Sequence, residues 1–469
     1  MPVVQEKQEA SSWSPWTRSV SRVVTFGINE DNQFGAPTEY RSSGDFQAYL
    51  RTRDKPSRTI YILEGLAPDF TAVTSDHFRL HPSVFTDHHR LVAFSGRATG
   101  ESGGLPFLPS SIQGRHHISL KYHEALTICS RPTCFRNICQ VSGRHIMATR
   151  MSGTFSEVVI ARRKCTVWFK KTGGGGWDCL IICDPPIRRI LTDSSGRRGF
   201  DVTVSPYNGG YPDFTPHDEQ MKAPSGPPLT SLLDDIAFYI QNHAGRLDLD
   251  EPLCAVIFIE KILASHFMKV AEFVESTMER MQWNISRRND LSSFTLADVE
   301  QQWSDVQAWE RRVGEFKSDL RGIMLQLRIA LADFELDRPG NMGASAADYQ
   351  FLHLRFTEIS RLISGVNGTI ASLVSITGSR SALKAQELSL EMTNRSIRDA
   401  KNIKALTILG LVFIPFSYTA SLFSMADSYS PGGRSFWIYF AVSLPLTGLS
   451  ALGYWILTLL SERRHHVDT

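Results

Sequence analysis

The sequence predicts an α+β cytosolic domain, a long helical stalk and two C-terminal transmembrane helices. Three observations carry this expectation. The long uncharged apolar runs are confined to residues 405–425 and 436–460. Upstream of them, over residues 296–373, apolar residues recur at helical spacing. The first 290 residues mix short β-like runs with helical stretches and Gly/Pro/Ser-rich joints. At 469 residues the chain is longer than one ordinary domain. The expected divisions are 1–290 for the α+β domain, 291–402 for the stalk (broken near 337–344), 403–425 and 436–460 for the two spans, 426–435 for a short outer loop and 461–469 for a cytosolic tail.

Charge is nearly balanced, with 50 Lys+Arg against 48 Asp+Glu, so a nucleic-acid partner is not expected. Seven cysteines in a chain of this size do not make a disulfide framework and fit reduced cytosolic thiols. The first residues have no apolar core behind a basic start, and Glu6 and Glu9 spoil a mitochondrial presequence, so neither kind of leader is expected.

Within the first domain, strands are expected over 20–26, 59–63, 156–160, 166–169, 180–183 and 200–204, and helices over 229–243 and 253–281. The glycines at 173–176 read as a hairpin turn; without a following Lys-Ser/Thr they do not make a phosphate loop. Segments 93–113 and 204–228 read as loops. Cys129, Cys134 and Cys139, and Cys179 and Cys183, with His116, His117 and His123 nearby, are spaced more loosely than structural zinc ligands, so no metal site is assigned. His77, His81, His88 and His89 lie near Pro82 and Phe85. No Ser-His-Asp, Cys-His or paired-carboxylate pattern stands out, and an enzyme is not expected.

In the stalk, Trp303, Val306, Val313, Phe316, Leu320, Ile323, Leu327, Leu331 and Phe334 predict a helix over 296–336, and Pro339 with two glycines ends it. Ser345 is a plausible N-cap for a second helix. Leu352, Phe356, Ile359, Ile363, Val366, Ile370 and Leu373 then form a heptad-type seam. Beyond it the apolar set thins to Ile376, Leu383, Leu390 and Ile397, which fits either a loosely packed spacer helix or a water-filled funnel. No breaker intervenes before the first span, so one helix over 346–425 is expected, about 120 Å long.

Each span is long enough to cross a hydrocarbon core of about 30 Å. A pair of buried helices in a soluble protein is the alternative. Pro415 and Pro445 are compatible with membrane helices, and Trp437, Tyr439, Tyr454 and Trp455 sit where interfacial aromatics belong. Arg395, Arg398, Lys401 and Lys404 precede the first span and Arg463 and Arg464 follow the second, whereas the loop between them holds only Arg434. The positive-inside rule then places both termini in the cytosol.

Continuing the three-four spacing into the first span selects Thr393, Ser396, Ala400, Ile403, Thr407, Gly410, Ile414, Ser417, Ser421 and Ser424, all neutral and mostly small or hydroxylic. Such a face suits close helix packing. It equally suits a pore wall, where hydroxyls and carbonyls replace part of a cation's water shell. A symmetric oligomer with an axial pore satisfies both readings.

The run IKALT at 403–407, IPFSYTASLFSM at 414–425, PGG at 431–433, FWIY at 436–439 and LPLT at 444–447 resembles the CorA-like magnesium transporters, in particular their divergent fungal branch. The resemblance covers residues 394–447. It implies a homo-pentamer in the lipid bilayer, that of the plasma membrane, that passes Mg²⁺ along the first span without an organic cofactor. It implies pore-lining roles for Thr407, Gly410, Ile414, Ser417, Ser421 and Ser424, and gating by metal in the cytosolic domain by residues it does not identify. The family's Gly-Met-Asn signature at the mouth is replaced by Ser424, Met425 and Ala426, with Asp427 following. A methyl group cannot offer the hydrogen bonds of an Asn ring to a hydrated ion. A membrane-anchored scaffold or regulatory subunit that retains the fold without conducting is therefore the alternative.

Overall fold

The computed structural model describes residues 21–53, 57–89, 116–129, 132, 137–151, 154–192, 199–215, 226–287, 296–331, 345–424 and 435–465. The strands are β1 (Arg22–Ile28), β2 (Thr38–Tyr40), β3 (Arg58–Glu64), β4 (His117–Ile128), β5 (Asn137–Cys139), β6 (His145–Met151), β7 (Thr154–Lys171), β8 (Trp177–Cys183), β9 (Arg189–Leu191), β10 (Gly199–Asp201) and β11 (Val204–Pro206). The α-helices are α1 (Ser43–Thr52), α2 (Pro68–Phe78), α3 (Ser83–His89), α4 (Leu232–His243), α5 (Val256–Arg287), α6 (Leu296–Gln326), α7 (Ala346–Phe423) and α8 (Trp437–His465). Two compact units emerge, Met1–Ser375 and Ile376–Thr469.

The strands of the first unit form one mixed sheet, organised by β7, which at 18 residues is long enough to serve three neighbours. Its first half pairs with β6 and its second half with β8 on one edge, and β4 runs along the other. The sole parallel pairing among the described strands is β3 with β8; the rest are antiparallel. Alternation along the strands sends side chains to two cores. Ile60, Ile62, Cys179 and Ile181 face a core shared with α4, α5, α6 and the start of α7. Tyr61, Leu63, Leu180 and Ile182 face Phe46, Phe70 and Phe78 of α1 and α2. Helices thus cover both faces, which is why β3 and β8 read as continuous apolar runs.

Several expectations need adjustment. The strands expected at 156–160 and 166–169 are one strand, β7, because the charged residues between them are all engaged: Arg162 with Glu315, Arg163 with Glu124, and the Lys164 ammonium with the Asp87 carbonyl. The strand expected over 200–204 is two short ones, β10 and β11, with different partners. β4 was not anticipated, since its polar face of His, Lys and Glu hides the alternation. The turn at 173–176 closes the β7–β8 hairpin, with positive φ at Gly174 and Gly175. Segment 93–113 lies outside the described residues.

In the stalk, α6 ends at Gln326, ten residues short of the expected end at 336. Arg328 takes a left-handed φ of 58°, and the Ile329 amide donates to the Met324 carbonyl at 2.8 Å, a closure that turns the chain out of the helix. Leu331 is accordingly exposed, and Phe334 lies outside the described residues. The seam from Leu352 to Ile370 is buried against the chain's own α5 and α6, with the Phe356 ring 6.1 Å from Phe267 and 6.2 Å from Phe316. Ser345 precedes α7, and its hydroxyl donates to Glu260. From Gly378 to Lys404 the helix is exposed: Leu383, Leu390 and Ile397 are each half exposed or more.

Candidate functional site

Both C-terminal helices are long and apolar enough to cross a membrane, and only 11 % and 6 % of their most apolar windows are covered within the chain. Helices of a soluble core would be mostly covered, so this low coverage favours lipid or other copies as their surroundings.

The hairpin they form has a definite inner face. On α7, Pro415 and Thr419 are buried, with Phe416 and Phe423 beside them. On α8, Ser443 is fully buried, and Tyr439 donates its hydroxyl to the Phe416 carbonyl at 3.3 Å while its ring meets Phe416 and Phe423. Pro415 has no N–H, so the Leu411 carbonyl one turn earlier loses its helical donor. Thr419 donates its hydroxyl to the Pro415 carbonyl at 2.9 Å.

The neutral stripe lies elsewhere. At about 100° per residue, Thr407, Gly410, Ile414, Ser417, Ser421 and Ser424 cluster roughly opposite Pro415 and Thr419. All are exposed except Gly410, which is half-buried, and Ile414 is 70 % exposed. Thr407 spends its proton on the Ile403 carbonyl at 2.7 Å, leaving lone pairs outward. Ser417, Ser421 and Ser424 make no side-chain hydrogen bond to any described residue, so their hydroxyls are available to an outside partner. Met425, Ala426 and Asp427 at the expected mouth lie outside the described residues.

The mixed-sheet domain carries polar clusters that sequence reasoning passed over. Arg144 holds Asp184 through Nε at 2.8 Å and Nη2 at 3.1 Å, and His88 approaches the same carboxylate at 3.3 Å. Burial alone would raise the Asp184 carboxyl, but the Arg144 charge and the His88 hydrogen bond outweigh it and hold it well below the usual carboxylate range. Burial pushes the His88 imidazole down to about 4. His88 also pairs with Thr166 at 3.0 Å, and Thr166 with Ser119 at 3.1 Å. This Asp-His-hydroxyl order resembles a nucleophile relay, but His88 and Thr166 are enclosed in the core, which makes it structural. The one legible hint was position: Asp184 directly follows the apolar strand β8. Among the described residues no three or more His, Cys, Asp or Glu side chains gather as a metal site. Cys179 and Cys183 are buried on β8, and burial raises both thiols. His117 and His123 are engaged by Asp87 and Asp319, and Cys134 lies outside the described residues.

A cavity of about 20 Å³, room for one water, opens between β4, β7, α4 and α5. Asp235 lines it, accepting from the Tyr211 hydroxyl at 2.6 Å and the Leu229 amide at 2.8 Å. Burial nevertheless raises its carboxyl to about 7, and the charge of Glu124 adds to the rise. The folded state therefore holds a proton that the unfolded chain releases near pH 4. Its contribution to stability is complete below that point and is lost as pH climbs to about 7. Unfolding of the wild type compared with Asp235→Asn should reveal a pH-dependent difference on the order of 4 kcal/mol across this window. A constant difference from pH 4 to 8 would refute the assignment.

No family model and no curated protein matches the sequence. Among solved structures, the chain is similar to the complete structure of the CorA magnesium transporter from Methanocaldococcus jannaschii, at 9 % identity, over 92 % of this chain and 96 % of that one, with a TM-score of 0.35. It is also similar to the full-length CmaX protein, at 10 % identity, over 95 % and 99 % of the two chains, with a TM-score of 0.29. Likenesses this loose carry no functional argument. What defines the class is the chain's own architecture: a mixed-sheet domain, a long helix and two membrane-length helices at the C-terminus.

Proposed function

We propose that this chain is a CorA-like channel for a divalent cation, Mg²⁺ in the first instance, acting as a homo-pentamer with both termini in the cytosol and seated in the plasma membrane. The observation that carries the reading is the uncovered neutral face of α7, with Ser417, Ser421 and Ser424 exposed roughly opposite the side that α8 covers. The resemblance of residues 394–447 to the CorA-like family supports the same reading. Copies arranged with this face inward would line a path with hydroxyls and no fixed charge, which can hold part of an ion's water shell without trapping it. Ile414 would form an apolar constriction, and Ala426 and Asp427 would shape the mouth. A divalent ion entering the cell gains about 4.6 kcal/mol per 100 mV of inside-negative potential, enough to drive passive flux.

A non-conducting scaffold or regulatory subunit with the same fold is the second reading, favoured by Ala426 at the position of the signature Asn. Mg²⁺ uptake into liposomes, measured for the native protein beside Ala426→Asn, separates the two. We expect uptake by the native protein above empty liposomes, with a mouth that works without the Asn ring. Uptake by the variant alone would mean a silenced pore and favour the scaffold, and inactivity of both as assembled oligomers would end the transport reading.

A further inference from the structure

Just before the membrane-length part of α7 lies a band of positive charge that pore lining leaves unused. Arg395, Arg398, Lys401 and Lys404 follow one another at three-residue steps on continuous helix, and all are exposed. Each step of three sets a residue back by about 60°, so the four sweep roughly half the circumference. That half is centred on the side of Pro415 and Thr419, away from the neutral stripe. Arg395 is linked to Glu391 at 3.2 Å. Arg398, Lys401 and Lys404 have no carboxylate partner among the described residues, and Asp399 is the sole acid among residues 395–404.

Lys401 and Lys404 lie within about 6 Å of the start of the apolar segment along the axis, and Arg398 within about 11 Å. Headgroup layers are only several ångströms deep, and long basic side chains can lean along the helix to reach them. We propose that Arg398, Lys401 and Lys404 bind the phosphate headgroups of anionic phospholipids in the cytosolic leaflet. Charge complementarity identifies the occupant: three uncompensated cations, on the side away from the proposed pore, at headgroup depth. The inference rests on the membrane topology proposed above.

The test uses full-length protein in phosphatidylcholine vesicles and compares the association of spin-labelled phosphatidylglycerol with that of spin-labelled phosphatidylcholine. One basic side chain near an anionic surface is worth about fivefold in association, and a preference of that order is expected. It should fall towards parity in the triple variant Arg398→Gln, Lys401→Gln, Lys404→Gln. High salt should also weaken it in the unmodified protein, which keeps the test valid should the variant misassemble. Equal association of both lipids with the native protein, or a preference untouched by variant and salt, overturns the inference alone. Protein that an alkaline wash strips from the vesicles overturns the membrane topology as well.

Discussion

Mg²⁺ uptake by Ser417→Cys or Ser421→Cys protein in liposomes is expected to fall more than about tenfold after treatment with a small cationic thiol reagent. At about 5 Å, even with water-like screening, a unit positive charge repels a divalent ion by about 1.7 kcal/mol, and a symmetric pore would carry one such charge per subunit. Thr419→Cys supplies the contrast, since Thr419 is only 3 % exposed beneath α8 and should resist the reagent. Exposed Cys129 in the domain is a background site to be subtracted with the unsubstituted protein. Reaction can also be followed directly by mass, so the result does not depend on the rate of flux. Full protection of both serine positions in every condition would sink the pore.

Asp184→Ala is expected to be the most damaging single substitution in the mixed-sheet domain. It strips Arg144 of both its carboxylate bonds, and it removes the acceptor of the Lys164 amide at 2.6 Å. Breaking a buried ion pair from one side costs about 3–5 kcal/mol, because the remaining charge stays in the core. Against a total stability of about 5–15 kcal/mol that is a large fraction. Denaturant unfolding of the full chain in detergent, followed by tryptophan fluorescence, measures it. The double variant Asp184→Leu, Arg144→Met should be less damaged than the single one, since no uncompensated ion remains. A loss below about 1 kcal/mol for Asp184→Ala would mean that water reaches Arg144 and that the pair is worth no more than a surface one.

The elements that could be read from residues alone were those whose pattern is local. The two spans declare themselves by length without charge, and the start of α7 by a periodic seam after a Pro-Gly break. β3 and β8 are legible because both faces are buried and the apolar run is unbroken. β4 escaped notice because its charged residues are satisfied only by distant partners: Lys121 by Glu315 and Asp319, His123 by Asp319, and Glu124 by Arg163. The same cause split β7 in the expectation, since three charged residues in a row look like a turn until their partners are known. The end of α6 was misplaced because nothing in its composition announces a left-handed Arg328.

Of the candidate site, the sequence by itself determined the neutral stripe, the basic band before it and the presence of Ala426 just after the first span. These are matters of residue type at helical spacing, and one continuous helix carries them in register from Ala346 to Phe423. Only the tertiary structure decided which side of that helix α8 covers, and that Ser417 and Ser421 lie away from it. It likewise decided that the seam at Leu352–Ile370 serves the domain's own core, and that Asp184 and Asp235 are buried with opposite shifts. The physical reason is common to all of these. Periodicity names a face, but what covers the face, and whether a buried carboxylate meets a guanidinium or is left without a cation, depends on residues brought together from far along the chain.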